Sequence, residues 1–360
     1  MGRQMCHRGV VYITDVCNAR CPWCYYQAFL DEKKHVPFEE VKNEVEVQRF
    51  YYDLGWTDIT GRGEPTLHPK IKEIVSYCAE VDLKPTVITN GLLPNVVGEL
   101  IKRGLDDLLL SIQGIGEIHD RAVAVNGAFK KVLETMTILK DSGFRFRTNT
   151  TLTKINMENL PSLAKFLLKV RPRLVNFIAF NPHEGTDWSK QSSIEFQARY
   201  SEIAPHLAKA IDILMVGGIW VNVRYFPLCI LQGYEKHICD FHQHQYDPTE
   251  WNLCEGFELK KEQMLYLTQI AKDEGVYGES AEEKLLNYLV RRETQGNLTS
   301  SDCKECVNLL ICDGLYSQYA RRFGFEELRP IVGNVFIRDP LYYRLQDLRW
   351  LTEMGFQRGG

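Results

Sequence analysis

No stretch of the 360-residue chain reaches the roughly 18 consecutive apolar residues of a membrane-spanning helix. The N-terminal MGRQMCHRGVVYITDV lacks the apolar segment of a secretory signal. A myristoylation motif is also missing, because Cys6 stands where Ser or Thr would be needed after Gly2. There is no excess of basic charge: 43 Lys and Arg face 47 Asp and Glu, a net charge of −4, which gives no field to attract nucleic acid or an anionic membrane. Repeats and low-complexity tracts are absent. These absences lead us to expect a cytoplasmic chain without nucleic-acid or membrane partners. What is present is an ordinary globular balance, 44% hydrophobic and 25% charged, and a length that suggests about two domains.

Cysteine is the residue in surplus. There are eleven, an odd count, and in an unexported protein a disulfide framework is improbable, which leaves metal, cluster or catalytic thiols. Nine fall into three groups: Cys17, Cys21 and Cys24; Cys229, Cys239 and Cys254; Cys303, Cys306 and Cys312. Cys6 stands alone. Cys78, in the helical pattern IVSYCAEV, reads as a packed core thiol.

From residue 9 to about 225 short β-branched runs alternate with amphipathic stretches of helical length. GVVYITDV, TDITG, KPTVITNG, DLLLSIQG, RFRTNTTL and LVNFIAFNP read as six strands. Helices are expected over 38–55, 68–82, 94–103, 126–142 and 157–169, and a helix at 193–214 with the strand-like GIWVNVRYF completes the block. Such alternation predicts an α/β fold of right-handed βαβ units around a parallel sheet, either doubly wound or a barrel. After residue 226 the pattern turns polar and aromatic, and the region holds six of the cysteines. We expect a core over 1–225, a cysteine-rich domain with an insertion over 226–325, and a closing segment over 326–360.

Cys17 closes the first expected strand, so its group sits on a strand-to-helix loop, the chemical face of a parallel barrel. A structural zinc, with Cys6 or His7 as fourth ligand, is one reading. Structural zinc, however, usually takes paired CxxC knuckles. A compact C-x3-C-x2-C suits a four-iron cluster with one iron left open.

VCNARCPWCYY resembles the signature of the radical S-adenosylmethionine enzymes, with Trp23 as the aromatic residue before the last cysteine. The resemblance implies a partial (βα)6 TIM-type barrel. It also implies a [4Fe-4S] cluster on Cys17, Cys21 and Cys24, with S-adenosylmethionine on the open iron and Trp23 or Tyr25 beside the adenine. TGRGEP resembles the family's GGEP motif, with Arg62 in place of the commonest Gly. By that likeness Gly61 and Gly63 allow close backbone approach, and Glu64 accepts hydrogen bonds from the methionine ammonium. Further cofactor candidates at successive strand ends are Asn90, Ser111, Gln113, Asn149, Thr151 and Asn181. Arg145, Lys154, His183 and Glu184 are candidates for an anionic group.

CKECVNLLICDG resembles the auxiliary-cluster domains called SPASM or twitch. No cysteine follows Cys312, so the resemblance supports one auxiliary [4Fe-4S] cluster. Its ligands would be Cys303, Cys306 and Cys312 with a fourth from Cys229, Cys239 or Cys254; PLCILQGYE favours Cys229. Zinc is the alternative here too. HICDFHQH reads as a polar, solvated loop rather than a metal site, and the insert KHICDFHQHQYDPTEW is expected to line the substrate side.

The expected function is a radical enzyme that abstracts hydrogen from a small metabolite or natural-product intermediate, oxidatively, with the auxiliary cluster as electron acceptor. With sixteen residues before Cys17, no leader-binding domain is expected there, which favours that substrate class. Crosslinking or epimerisation of a ribosomal peptide is the alternative, with Cys239 or Cys254 as a weak candidate for hydrogen return. A flavodoxin- or ferredoxin-type protein would supply electrons. The rival of another class is a zinc-stapled binding module.

Overall fold

The β-branched runs form seven strands: β1 (Arg8–Tyr12), β2 (Trp56–Thr60), β3 (Lys84–Thr89), β4 (Asp107–Ser111), β5 (Arg147–Leu152), β6 (Leu174–Ala179) and β7 (Trp220–Arg224). In this computed structural model, which describes residues 8–24, 26, 34–181, 192–244, 247, 249 and 297–347, they pair in chain order from β1 to β7, every pair parallel. Crossovers carry α1 (Phe38–Glu46), α2 (Ile71–Glu80), α3 (Pro94–Lys102), α4 (Glu117–Val123), α5 (Ala128–Asp141), α6 (Leu160–Val170) and α7 (Tyr200–Val216). This is the parallel core of a partial barrel, with β1 and β7 as its edges. The short α4 was not expected; its sequence, EIHDRAV, has no apolar stripe. No helix among the described residues is long and apolar enough to cross a membrane.

The helices bury one face each. On α6, Leu160, Leu163, Ala164 and Leu167 recur at helical spacing and join Val175 and Phe177 of β6 in the core. Cys78 of α2 is fully buried there, as its pattern predicts. Alternate strand residues face the other way and are often polar. Near the start of the strands Arg8 donates to Asp58 (2.7 Å) and Thr86 (2.8 Å). Arg147 donates to Asp107 (2.6 Å), which also takes Arg173 (3.1 Å). α6 ends on Arg171 in the left-handed conformation, φ +51°, a position that favours glycine and costs another residue on the order of 1 kcal/mol.

The chain after β7 does not form a solvated loop. Ile238 bridges Val223 in parallel, the Cys239 amide donates to the Val223 carbonyl (2.8 Å), and His237 Nδ1 lies 3.0 Å from the Val221 carbonyl. His237, Cys239 and His244 are buried. The hydrogen-bonding groups of this segment are taken up by the sheet edge instead of water, which blunts an otherwise bare edge. The described part of the insert therefore covers β7. Arg344, in the expected closing segment, donates to the Ile238 carbonyl (3.2 Å), Asp247 (3.1 Å) and Asn222 (2.9 Å), and Arg147 reaches the Thr249 carbonyl (2.5 Å). Tyr319, on α8 (Ser317–Phe323), stacks on Tyr200 at 4.1 Å, and β8 (Asn297–Leu298) pairs antiparallel with β9 (Leu315–Tyr316).

Candidate functional site at the cysteine loop

The chain leaving β1 stays beside the chain leaving β2. Gly63 N donates to the Thr14 carbonyl (3.0 Å) and Glu64 N to the Val16 carbonyl (2.7 Å). A Cβ on Gly63 would lie 2.1 Å from the Val16 oxygen, and one on Gly61 would lie 2.4 Å from the Thr14 oxygen. These two glycines are thus required by the approach to residues 14–16, directly before Cys17, whatever else they admit.

Cys17, Cys21 and Cys24 follow on one loop, each partly exposed. The loop is tied to α4: Arg20 N donates to the Val123 carbonyl (3.0 Å), and Trp23 Nε1 to that of Ala122 (3.0 Å). Backbone amides point at two sulfurs, Ala19 N at Cys17 (3.5 Å) and Tyr26 N at Cys24 (3.4 Å). Burial pushes the Cys17 thiol up to about 11 and raises Cys21 and Cys24 as well; for Cys21 the neighbouring Cys24 and Cys17 add to it. Bare thiolates are disfavoured here, which suits sites where bound iron provides the compensating charge. Among the described residues no three His, Cys, Asp or Glu side chains are gathered as a single metal ion would require. The donor set, three thiols with amide-to-sulfur bonds, fits an iron–sulfur cluster.

Glu64 is buried at the end of β2. Its Oε1 accepts from Thr66 N (3.1 Å), Thr66 Oγ1 (2.6 Å) and Thr89 Oγ1 (2.6 Å), and its Oε2 from Asn90 N (2.7 Å). Desolvation raises its pKa, opposed by these donors. Asn90 in turn donates to Asn18 Oδ1 (2.8 Å). Glu64 therefore fastens the ends of β2 and β3, and Asn90 links them to the cysteine loop. Asn18, next to Cys17, carried no signal in the sequence.

Further round, Gln113 Oε1 accepts from Thr151 N (2.9 Å), and Gln113 N donates to His119 Nδ1 (3.0 Å). His119 is buried, and desolvation lowers its pKa to about 4. Asn156 Nδ2 bonds the carbonyls of Gln113 (2.9 Å) and Thr151 (2.8 Å). Asn181 is engaged within the protein: its Oδ1 accepts from Tyr200 (3.0 Å) and its Nδ2 donates to the Tyr225 carbonyl (3.4 Å). Ser111, Asn149, Asn176 and Asn222 are in-register partners on β4 to β7. The Oδ1 atoms of Asn149 and Asn176 are buried without a hydrogen-bond donor. Asn176 and Asn222 were missed; the signal was a polar residue inside each of two apolar strand runs. Arg145 precedes β5 at the opposite end of the sheet, not on this rim. Lys154 follows β5. Tyr25, His183, Glu184 and Cys254 lie outside the described residues.

A second group of thiols lines one cavity, where Cys229, Cys303, Cys306 and Cys312 meet with Pro227 and Leu228. Burial pushes Cys229 up to about 11, with Cys303 and Cys306 adding to it, and raises Cys312, with Cys229 adding. Arg329 N points at the Cys229 sulfur (3.4 Å), and Gly314 N at that of Cys312 (3.4 Å). Cys239 is not in this group. It is fully buried, 3.7 Å from Asp247 Oδ2.

Residues 11–167 match the model of the Radical SAM superfamily. A Pyrococcus furiosus protein, the tungsten-containing aldehyde ferredoxin oxidoreductase cofactor-modifying protein, is 24% identical over 252 residues, 67% of each chain. The PqqA peptide cyclase of Granulibacter bethesdensis is 27% identical over 157 residues, 42% of this chain and 41% of that one. The crystal structure of Streptococcus suis SuiB bound to precursor peptide SuiA aligns at 18% identity with a TM-score of 0.49, covering 61% of this chain and 48% of that one. The matches to these two curated relatives span 67% and 41% of their lengths.

Proposed function

From the match of residues 11–167 to the Radical SAM superfamily we propose that this chain is a radical SAM enzyme and that Cys17, Cys21 and Cys24 hold the [4Fe-4S] cluster on which S-adenosylmethionine is bound. When bound, the pair supplies the chemistry: one-electron cleavage to a 5′-deoxyadenosyl radical that takes a hydrogen atom from the substrate. The chain's own residues orient and enclose. The observation that carries the assignment is the triple-thiol loop set against the GRGEP turn by the Gly63 and Glu64 amides.

Glu64 Oε1 has three donors and Oε2 one, which leaves Oε2 an acceptor position for the methionine ammonium. Trp23, with its N–H spent on Ala122, offers only its ring to the adenine, and Tyr25 is the alternative. Asn90, Ser111, Gln113, Asn149 and Thr151 complete the rim. We assign Asn181 a supporting part, because its amide is engaged within the protein. Cys229, Cys303, Cys306 and Cys312 are proposed to hold an auxiliary [4Fe-4S] cluster, a closed four-thiolate set suited to electron transfer. A flavodoxin- or ferredoxin-type donor would reduce the first cluster. Cys239 is a poor candidate for hydrogen return, since its thiol is enclosed beside Asp247.

For the substrate we place a peptide ahead of the small metabolite favoured by the sequence. One relative is named for a peptide cyclisation, which is what puts the peptide first. A small molecule is the second reading, favoured by the relative named for cofactor modification. The test is anaerobic incubation of reduced protein with S-adenosylmethionine, following 5′-deoxyadenosine. Brown, iron-rich protein that forms it supports the assignment, and Cys17→Ala/Cys21→Ala/Cys24→Ala should abolish it while iron at the second site remains. Undiminished 5′-deoxyadenosine from that variant would overturn it. Candidate peptides and metabolites added in parallel then separate the two substrate classes by which of them is modified.

A further inference from the structure

At the end of the sheet opposite the cysteine loop lies a cleft of about 370 Å³. Arg145 enters it from the turn before β5, Arg171 and Arg173 from the turn before β6, and Gly143 and Gly218 leave part of its wall as bare backbone. Both glycines have positive φ, +64° and +77°. No carboxylate lines the cleft.

The nearby acids are already committed. Asp58 pairs with Arg8, and Asp107 pairs with both Arg147 and Arg173. Among the described residues, neither Arg145 nor Arg171 has a carboxylate partner; Arg171 makes only a 3.4 Å bond to the Gly217 carbonyl. Arg171 also occupies a left-handed position where glycine would be the unstrained choice. Strain kept at such a position points to a use for the side chain. The positive charge accumulates on itself: burial lowers the pKa of Arg173, the guanidinium groups of Arg147, Arg145 and Arg8 lower it further, and Asp107 opposes them. In a chain of net charge −4 this is a local inversion of sign.

We propose that this cleft is a second ligand site, taking a phosphate group or a similar oxyanion. Arg145 and Arg171 would grip it with planar, bidentate guanidinium donors. Arg173 would add charge from the floor while staying paired with Asp107. A strand of five or six residues spans about 17–20 Å, so a ligand here is remote from the cysteine loop and cannot be the group that reacts there. The site binds something other than the radical substrate: either a free phosphate-type ion or the phosphate of a nucleotide.

The experiment is calorimetric titration of the full, iron-loaded chain under anaerobic conditions, with inorganic phosphate, pyrophosphate and ADP as probes at constant ionic strength. Saturable binding is expected, weakened at least about tenfold in Arg145→Gln/Arg171→Gln. Tighter binding of ADP than of the two inorganic ions identifies a nucleotide as the source, and equal or weaker binding a free ion. Iron content and 5′-deoxyadenosine formation, measured alongside, should be unchanged in the variant. They also report on the radical site independently, so failure there is not failure here. Equal affinity in the variant, or no saturable binding of any probe, would overturn the proposal.

Discussion

His119 is held neutral by its surroundings. Its Nδ1 accepts from Gln113 N, and burial lowers its pKa to about 4, against an ordinary value near 6.5. Between those two values an unfolded chain takes up a proton that the folded chain refuses, so folding stability falls as pH drops through that window. The loss is at most about 3 kcal/mol by the time pH 4 is reached. Urea denaturation at pH 7, 5.5 and 4.5 should show a steeper fall for the native sequence than for His119→Gln. Parallel slopes would show that His119 titrates normally. Glu64 offers a second case at this scale. Replacing it by Ala strands Thr66, Thr89 and Asn90 without their acceptor, at about 1–3 kcal/mol for each buried group left unsatisfied. Glu64→Ala should therefore lower the denaturation midpoint as well as weaken S-adenosylmethionine binding, and a variant with native stability would show that these bonds matter little.

Elements were easier to read in the sequence than their ends. All seven strands were legible because β-branched runs such as KPTVITNG and LVNFIAFNP have turn residues at their borders and a parallel sheet buries both faces. α4 was not, because its seven residues carry mixed polarity and are fixed by tertiary bonds from Arg20 and Trp23. The C-x3-C-x2-C and GRGEP stretches stood out in the sequence, yet the packing reason for the glycines did not. Nothing local reveals that Gly63 must pass under the Val16 carbonyl. Gly63→Ala, which forces a Cβ to 2.1 Å from that oxygen, should displace the loop and lower the iron bound by Cys17, Cys21 and Cys24. Iron analysis and the visible spectrum of anaerobically purified protein would check this, and full iron content would mean that the turn yields cheaply. The HICDFHQH stretch misled for the opposite reason: polar residues suggest water, but here the sheet edge and Arg344 take up its hydrogen bonds.

At the level of the whole molecule, residues far apart in sequence are brought together. Cys229 lies with Cys303, Cys306 and Cys312 around one cavity. If these four thiols hold a cluster as proposed, Cys229→Ala should reduce its iron and loosen the C-terminal region, whereas Cys239→Ala should leave the iron content intact. Mössbauer spectra of the two variants would separate these outcomes, and iron loss from Cys239→Ala alone would reverse the ligand assignment. Arg344 and Asp247 form a second such long-range contact, a buried ion pair. Arg344→Met leaves Asp247 buried and without its cation, at a cost of about 3–5 kcal/mol, read as a fall in thermal midpoint; an unchanged midpoint would show that Asn222 and Thr249 suffice.

The position of Arg344 also sets a schedule for synthesis. The ribosome completes β7 at Arg224 and delivers Arg344 about 120 residues later, roughly 6–24 s at ordinary elongation rates. During that interval the segment that covers β7 has no guanidinium to hold it down. A nascent chain passes through a period in which an unguarded strand edge is open to chaperones or to neighbouring chains, and it ends only when Arg344 has been made.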